Sequence, residues 1–154
     1  MMITFAPRGI LQIDDARIIY RNFSGVGSKF NREGDRNFAV IIETAEQAEA
    51  LTEQGWNVKI KPPREEGDTP FMFLPVKIKF SDRGPAAYLK SGTASPMKLD
   101  EETIDCLDNI DIMGVDLDIR PYDWEVNGKS GRTAYLQSIH VTPEVDRFAE
   151  RYNG

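Results

Sequence analysis

The chain has 154 residues, 40% of them hydrophobic and 29% charged, and a formal net charge of −6. That length suits one domain with its own core, and the single Cys106 and single His140 exclude an intrachain disulfide and a zinc site built by one chain alone. No stretch reaches the roughly 18 apolar residues of a membrane span, and "MMITFAPRGI" lacks the basic-then-apolar order of an export signal, so a soluble, cytoplasmic protein in a reducing compartment is expected.

In chain order, "ILQIDDARIIYRNF" reads as strand and leads into "YRNFSGVGSKFNREGDRNFAVII", apolar at both ends. Between those ends Arg21, Lys29, Arg32 and Arg36 are interleaved with Phe23, Phe30 and Phe38, while Gly25, Gly27 and Gly34 let the connection bend. Such a hairpin is either a solvated loop or a clamp for a strand of nucleic acid. It is not a phosphate-binding P-loop, because the Gly-Lys-Ser/Thr ending before a helix is absent. Phe38 alternates with Val40 and Ile42 and reads as core, which leaves Phe30 as the exposed ring.

"ETAEQAEALTEQGW" predicts a helix, with Thr44 and Gln47 as a capping box, Ala48 and Leu51 on one face and Gly55 as the stop. In "WNVKIK", Trp56, Val58 and Ile60 oppose Asn57, Lys59 and Lys61; in "VKIKF", Val76, Ile78 and Phe80 oppose Lys77 and Lys79. The Pro-rich "KPPREEGDTP" between them is a loop within the domain, and "AAYLK" adds another strand. "KLDEETIDCLDNI" predicts a second short helix, capped by Asp100, with Thr103, Ile104 and Leu107 on one side and Cys106 as a small buried side chain. "DIMGVDLDIRPYDWEV" and "RTAYLQSIHV" flank the five-residue "NGKSG" and predict a β-hairpin. After Pro143 a short helix is expected, with Val145, Phe148 and Ala149 on one side.

About seven short strands with two brief helices predict a mainly β, OB-like antiparallel barrel forming a single domain over 1–154. On its outer faces, Lys59, Lys61, Lys77, Lys79 and Lys90 could align as a basic stripe, although exposed strand lysines also serve to discourage edge pairing. With Leu117 and Ile119 facing the core, Asp116, Asp118, Arg120, Tyr122 and Trp124 take the opposite face, where Arg120, Tyr122 and Trp124 line up. Rings beside cations provide flat faces for unpaired bases and positive groups for phosphates; an added loop or a partner subunit over them is the other reading.

Catalysis is not expected. His140 has no second histidine to build a metal site with and no nucleophile-elbow sequence to serve, and Asp105, Asp108, Asp111, Asp116 and Asp118 lack the spacing of a calcium loop. No cofactor or metal is therefore assigned.

"YRNFSG", "FNREGDRNFAV", "GWNVK" and "VDLDIRPYDWEVNGKSGRTAYL" together resemble the small single-stranded-DNA-binding proteins of phages and prophages, with OB-like folds. The likeness runs from about Ile18 to Thr142. It implies a protein that coats single strands in phage replication or recombination within the bacterial host, without catalysis and with little sequence preference. It also implies a strand lying along Lys29, Phe30, Arg32 and Arg36, then Trp56 and Lys59, then Arg120, Tyr122 and Trp124. Where many such proteins recruit replication or recombination partners through an acidic tail, this sequence ends "TPEVDRFAERYNG".

The charge is uneven: residues 1–92 carry 13 Lys+Arg against 12 Asp+Glu, and residues 93–154 carry 6 against 13. Fields fade over about 8 Å at physiological ionic strength, so an acidic half does not prevent a basic face elsewhere from meeting phosphates. The same imbalance supports the rival reading, a non-catalytic structural or protein-interaction module in which Tyr122 and Trp124 form an oligomer contact.

Overall fold

The computed structural model describes residues 1–90 and 95–144. Ten strands form one mixed sheet, namely β1 (Met2–Phe5), β2 (Leu11–Asp14), β3 (Ile18–Asn22), β4 (Arg36–Ile42), β5 (Lys59–Lys61), β6 (Phe71–Ile78), β7 (Ala86–Leu89), β8 (Met97–Leu99), β9 (Ile112–Val126) and β10 (Lys129–Pro143). The hydrogen-bonded order is β1-β2-β9-β10-β6-β4-β3, with β5 beside β6, β7 beside β10, and β8 beside β7.

The period-two patterns become core faces. Val115, Leu117 and Ile119 of β9, Ala134, Leu136, Ile139 and Val141 of β10, and Leu74, Val76 and Ile78 of β6 are buried with Leu11, Ile13, Phe38, Val40 and Ile42 in one cluster. Helix α1 (Ala45–Glu53) carries the expected capping box, with the Gln47 amide donating to Thr44 Oγ1 at 3.1 Å and the Thr44 amide to Gln47 Oε1 at 3.2 Å. It closes the core with Ala48 and Leu51. Gly55, at φ 92°, stops it and delivers Trp56 into the same cluster.

Five expectations change. Among the described residues the strands number ten rather than about seven, and the path has free ends at β1 and β3 rather than a closed hydrogen-bonded ring. The pairing is mixed, since β10 runs parallel to both β6 and β7. Lys77 lies beside Tyr135 and Ala86 beside Ser138, so β6 and β7 act as successive parts of one interrupted strand, separated by a turn closed through Ser81 and Gly84. The second helix is a five-residue 3-10 turn, Ile104–Asp108: Asp100 Oδ1 accepts from the Glu102 and Thr103 amides at 2.9 and 3.0 Å, tightening the entry. Finally Ile60 is 61% exposed, because β5 is a three-residue edge paired with β6 alone. The helix expected after Pro143 lies outside the described residues.

β2, beside one end of the path, and β3, at the other end, are nevertheless consecutive in the chain. Between β2 and β3 the Ala16 amide donates to the Val115 carbonyl of β9 at 2.8 Å, and the Arg17 carbonyl accepts from Ile41 of β4 at 2.9 Å.

Candidate nucleic-acid interface

The β9–β10 hairpin supplies the aromatic part of the site. Its turn is two residues, Asn127 and Gly128, both with positive φ (52° and 78°), the backbone that a tight hairpin favours. "NGKSG" is thus mostly strand, and the two strands continue in register past the core. The outer face of this extension pairs Arg120 with Tyr135, Tyr122 with Thr133, and Trp124 with Gly131. The Arg120 guanidinium lies 5.2 Å from the centre of the Tyr135 ring, and Tyr122 meets Tyr135 edge-on at 6.0 Å. Tyr122 is 55% exposed and Trp124 38%. A Cβ on Gly131 would lie 2.6 Å from Trp124 Cζ2, so the absent side chain is what lets the indole lie against β10.

The hairpin is braced from its other face. Arg132 holds Asp123 with two hydrogen bonds (2.7 and 3.1 Å), donates to the Gln54 carbonyl at 2.9 Å and covers the Trp56 ring at 5.3 Å. The hydrogen bond from Arg132 holds the Asp123 carboxyl below the ordinary carboxylate range and raises Arg132 in return.

Lys77 stands beside Tyr135 on one flank and Asn37 of β4 on the other, extending the outer face across the sheet. Exposed Lys77 and Lys79 border a groove of about 700 Å³ that also touches Phe30, Arg32, Arg36 and Tyr135. A second hollow of about 470 Å³ runs on to Thr133, Gly131 and Trp124. Pro75 and Lys77 line both, so the two hollows adjoin between the Phe30 loop and Trp124.

The loop between β3 and β4 is an ordered structure with its own hydrogen bonds. Ser28 and Asn31 bridge across its tip, and Asn31 Nδ2 donates to the Val26, Arg32 and Asp35 carbonyls. Its base rests on the 3-10 turn, where the Asp108 carboxylate accepts from the Phe23 amide (2.7 Å), the Ser24 amide (3.0 Å) and Ser24 Oγ (2.7 Å). At the tip, Lys29 and Phe30 project outward, Phe30 is 92% exposed, and among the described residues Arg32 has no closer tie than Asp35 at 3.7 Å.

Several residues read as ligand-facing are engaged elsewhere. Arg21 donates to the Leu107 and Ile110 carbonyls, both at 2.7 Å. Arg36 donates to the Phe23 carbonyl at 2.6 Å and pairs with Asp105 at 2.8 Å, so only its flank reaches the groove. Both therefore brace the loop. Trp56 is 3% exposed, and its ring packs in the core, as its alternation with Val58 suggested and the resemblance did not. Phe23 and Phe38 stack on each other inside, 5.2 Å apart. Lys59 and Lys61 lie on edge strand β5, while Lys90 follows β7 and lines neither hollow. The sequence reading passed over Tyr135 and Gly131. Alternation with buried Ala134 and Leu136 marks Tyr135 as outward, but its partnership with Arg120 needs the hairpin register.

The family model described as "Putative phage ssDNA-binding domain" matches residues 3–154. Among solved structures, the single-stranded DNA-binding protein from bacteriophage Enc34 in complex with ssDNA is similar, with a TM-score of 0.57 at 15% identity, covering 95% of this chain and 93% of that one. The same Enc34 protein alone gives 0.56 at 14% identity with 98% and 94% covered, and its C-terminal truncation 0.56 at 12% with 94% and 91%. The likeness in fold thus extends nearly end to end. No curated protein matches the chain.

Proposed function

The chain belongs to the phage ssDNA-binding domain family, and on that premise we propose that single-stranded DNA lies along a track from the Phe30 loop, over Lys77 and Tyr135, to Tyr122 and Trp124. The observation that carries this reading is that the two hollows adjoin at Pro75 and Lys77, which joins a cationic half to an aromatic half on one sheet face. Lys29, Arg32, Lys77, Lys79 and Arg120 would meet phosphates, and Phe30, Tyr122, Trp124 and Tyr135 would offer faces to bases. Lys59 would extend the charge at the β5 edge, while Arg21, Arg36 and Trp56 hold the scaffold.

Binding of this kind reads little sequence, since every base has a flat face and every nucleotide a phosphate. It suits a protein that coats exposed strands during phage replication or recombination in the host cell, without catalysis. An OB-like character of the sheet is supported by the Asp15–Arg17 link between β2 and β3, which is itself hydrogen-bonded to β9 on one side and β4 on the other.

The test is fluorescence anisotropy of labelled oligothymidine. Trp124→Ala and Tyr122→Ala are each expected to weaken binding by about 5- to 150-fold, the range for losing one stacked base, with little change in Tm. Unchanged affinity in both would remove this face from the site.

A further inference from the structure

Across β4 from the track's middle lies a second cluster that no motif singled out. Tyr20, on β3, has φ 56°, a left-handed backbone that disfavours an aromatic residue, at a bulge where Ile19 and Asn22 flank one extra residue opposite β4. The bulge places its ring against Phe71 and Phe73 of β6, edge-on at 6.4 and 5.5 Å, while Tyr20 itself stays 49% exposed. Over this cluster stands Lys61, its Nζ 3.0 Å from Tyr20 Oη, 5.2 Å from the Tyr20 ring centre and 5.9 Å from that of Phe73. Among the described residues neither Lys61 nor Lys59 takes part in an ion pair.

Strained backbone that serves no turn and sets an aromatic ring on the surface is a pattern found at ligand sites. A cation lying over rings, without a carboxylate, leaves its charge available to an anion. The position adds the rest: Phe73, Pro75 and Lys77 alternate along the outer face of β6, so Phe73 lies about 13 Å along the strand from the lysine at the centre of the track.

We propose that Tyr20, Phe73 and Lys61 form a second stacking subsite for the same single strand, taking a base against the Tyr20 ring and a phosphate at Lys61. The proposal rests on the track assigned above and lengthens it toward β5.

Two oligothymidines of about 4 and about 16 nucleotides, spanning the site sizes of such folds, provide the test. The wild-type protein is expected to bind the longer one more tightly. Tyr20→Ala should remove about 5-fold or more of that length-dependent gain and leave binding of the shorter one unchanged. Lys61→Gln, a milder surface change, should lower the slope of log affinity against log salt by about 0.7 for the longer oligonucleotide alone. A length-dependent gain and salt slope that survive both substitutions overturn the subsite, as does a Tyr20→Ala variant whose altered behaviour is confined to self-association in sedimentation. Failure of the track itself has a different signature: short-oligonucleotide binding indifferent to Tyr122→Ala and Trp124→Ala.

Discussion

Gly131 and Trp124 make the most specific pair in the site. Any side chain at Gly131 collides with the indole at 2.6 Å, so Gly131→Val is expected to lift Trp124 off β10 and weaken oligothymidine binding as much as Trp124→Ala does, while circular dichroism retains the strand signature. Trp56 behaves in the opposite way. Truncating this buried ring to alanine should cost about 3 to 5 kcal/mol of stability, seen as a lower urea midpoint, with the affinity of the folded fraction unchanged. These two tryptophans show what was legible at this scale. The period of two in "DLDIRPYDW" placed Trp124 outward, as found, whereas that in "WNVKIK" only set Trp56 and Ile60 opposite the lysines; the resemblance put Trp56 along the strand, and the structure buries Trp56 while leaving Ile60 exposed. Arg21 and Arg36 were illegible, because nothing local distinguishes a guanidinium that meets phosphate from one tied to a segment some 70 to 90 residues away, Arg21 to the Leu107 and Ile110 carbonyls and Arg36 to the Asp105 carboxylate. Asp123 adds a pH effect. Its folded pKa is depressed by the hydrogen bond from Arg132, so its stabilisation is present above the ordinary carboxylate range and lost as pH falls through the folded value. Tm measured against pH should therefore fall further on acidification for the wild type than for Asp123→Asn.

At the scale of elements, the hairpin β9–β10 and the β3–β4 loop are held by quite different means. The hairpin is held by register: an Asn-Gly turn, a ladder running from Val126–Lys129 back to Ile112–Pro143, and Arg132 against the end of α1. The loop is held by charge, its base hydrogen-bonded to Asp108. Asp108→Ala removes the acceptor of three hydrogen bonds and should expose the Phe23 and Ser24 amides to faster hydrogen exchange, with weaker oligonucleotide binding because Phe30 and Arg32 lose their fixed position. Helix α1 was readable because its capping box is a local device. The segment after Asp100 was misread as a helix for an equally local reason: Asp100 and Thr103 close a tight turn on themselves, and five residues of 3-10 geometry suffice to bury Ile104 and Leu107.

For the whole molecule, the parallel pairing of β10 with β6 and β7 could not be read from periodicity, which fixes the face a side chain takes but not the strand beside it. Pairing partners more than 50 residues apart decide where Lys77 meets Tyr135, and hence whether the basic and aromatic halves touch at all. The net charge of −6 is compatible with the proposed site because fields fade over about 8 Å, so the track's own cations act locally. Affinity should therefore drop steeply with salt, with log affinity falling by about 0.7 per phosphate contacted for each tenfold rise in salt.

The central claim is that Trp124 stacks on a base of single-stranded DNA while Trp56 stays in the core. Intrinsic fluorescence of the Trp56→Phe protein, in which Trp124 is the remaining tryptophan, tests it directly by titration with oligothymidine at several salt concentrations and with a duplex of equal length as control. The account predicts quenching by the single strand that weakens as salt rises and is far smaller with the duplex. Binding visible in a gel shift while the emission of Trp124 remains unchanged would contradict it.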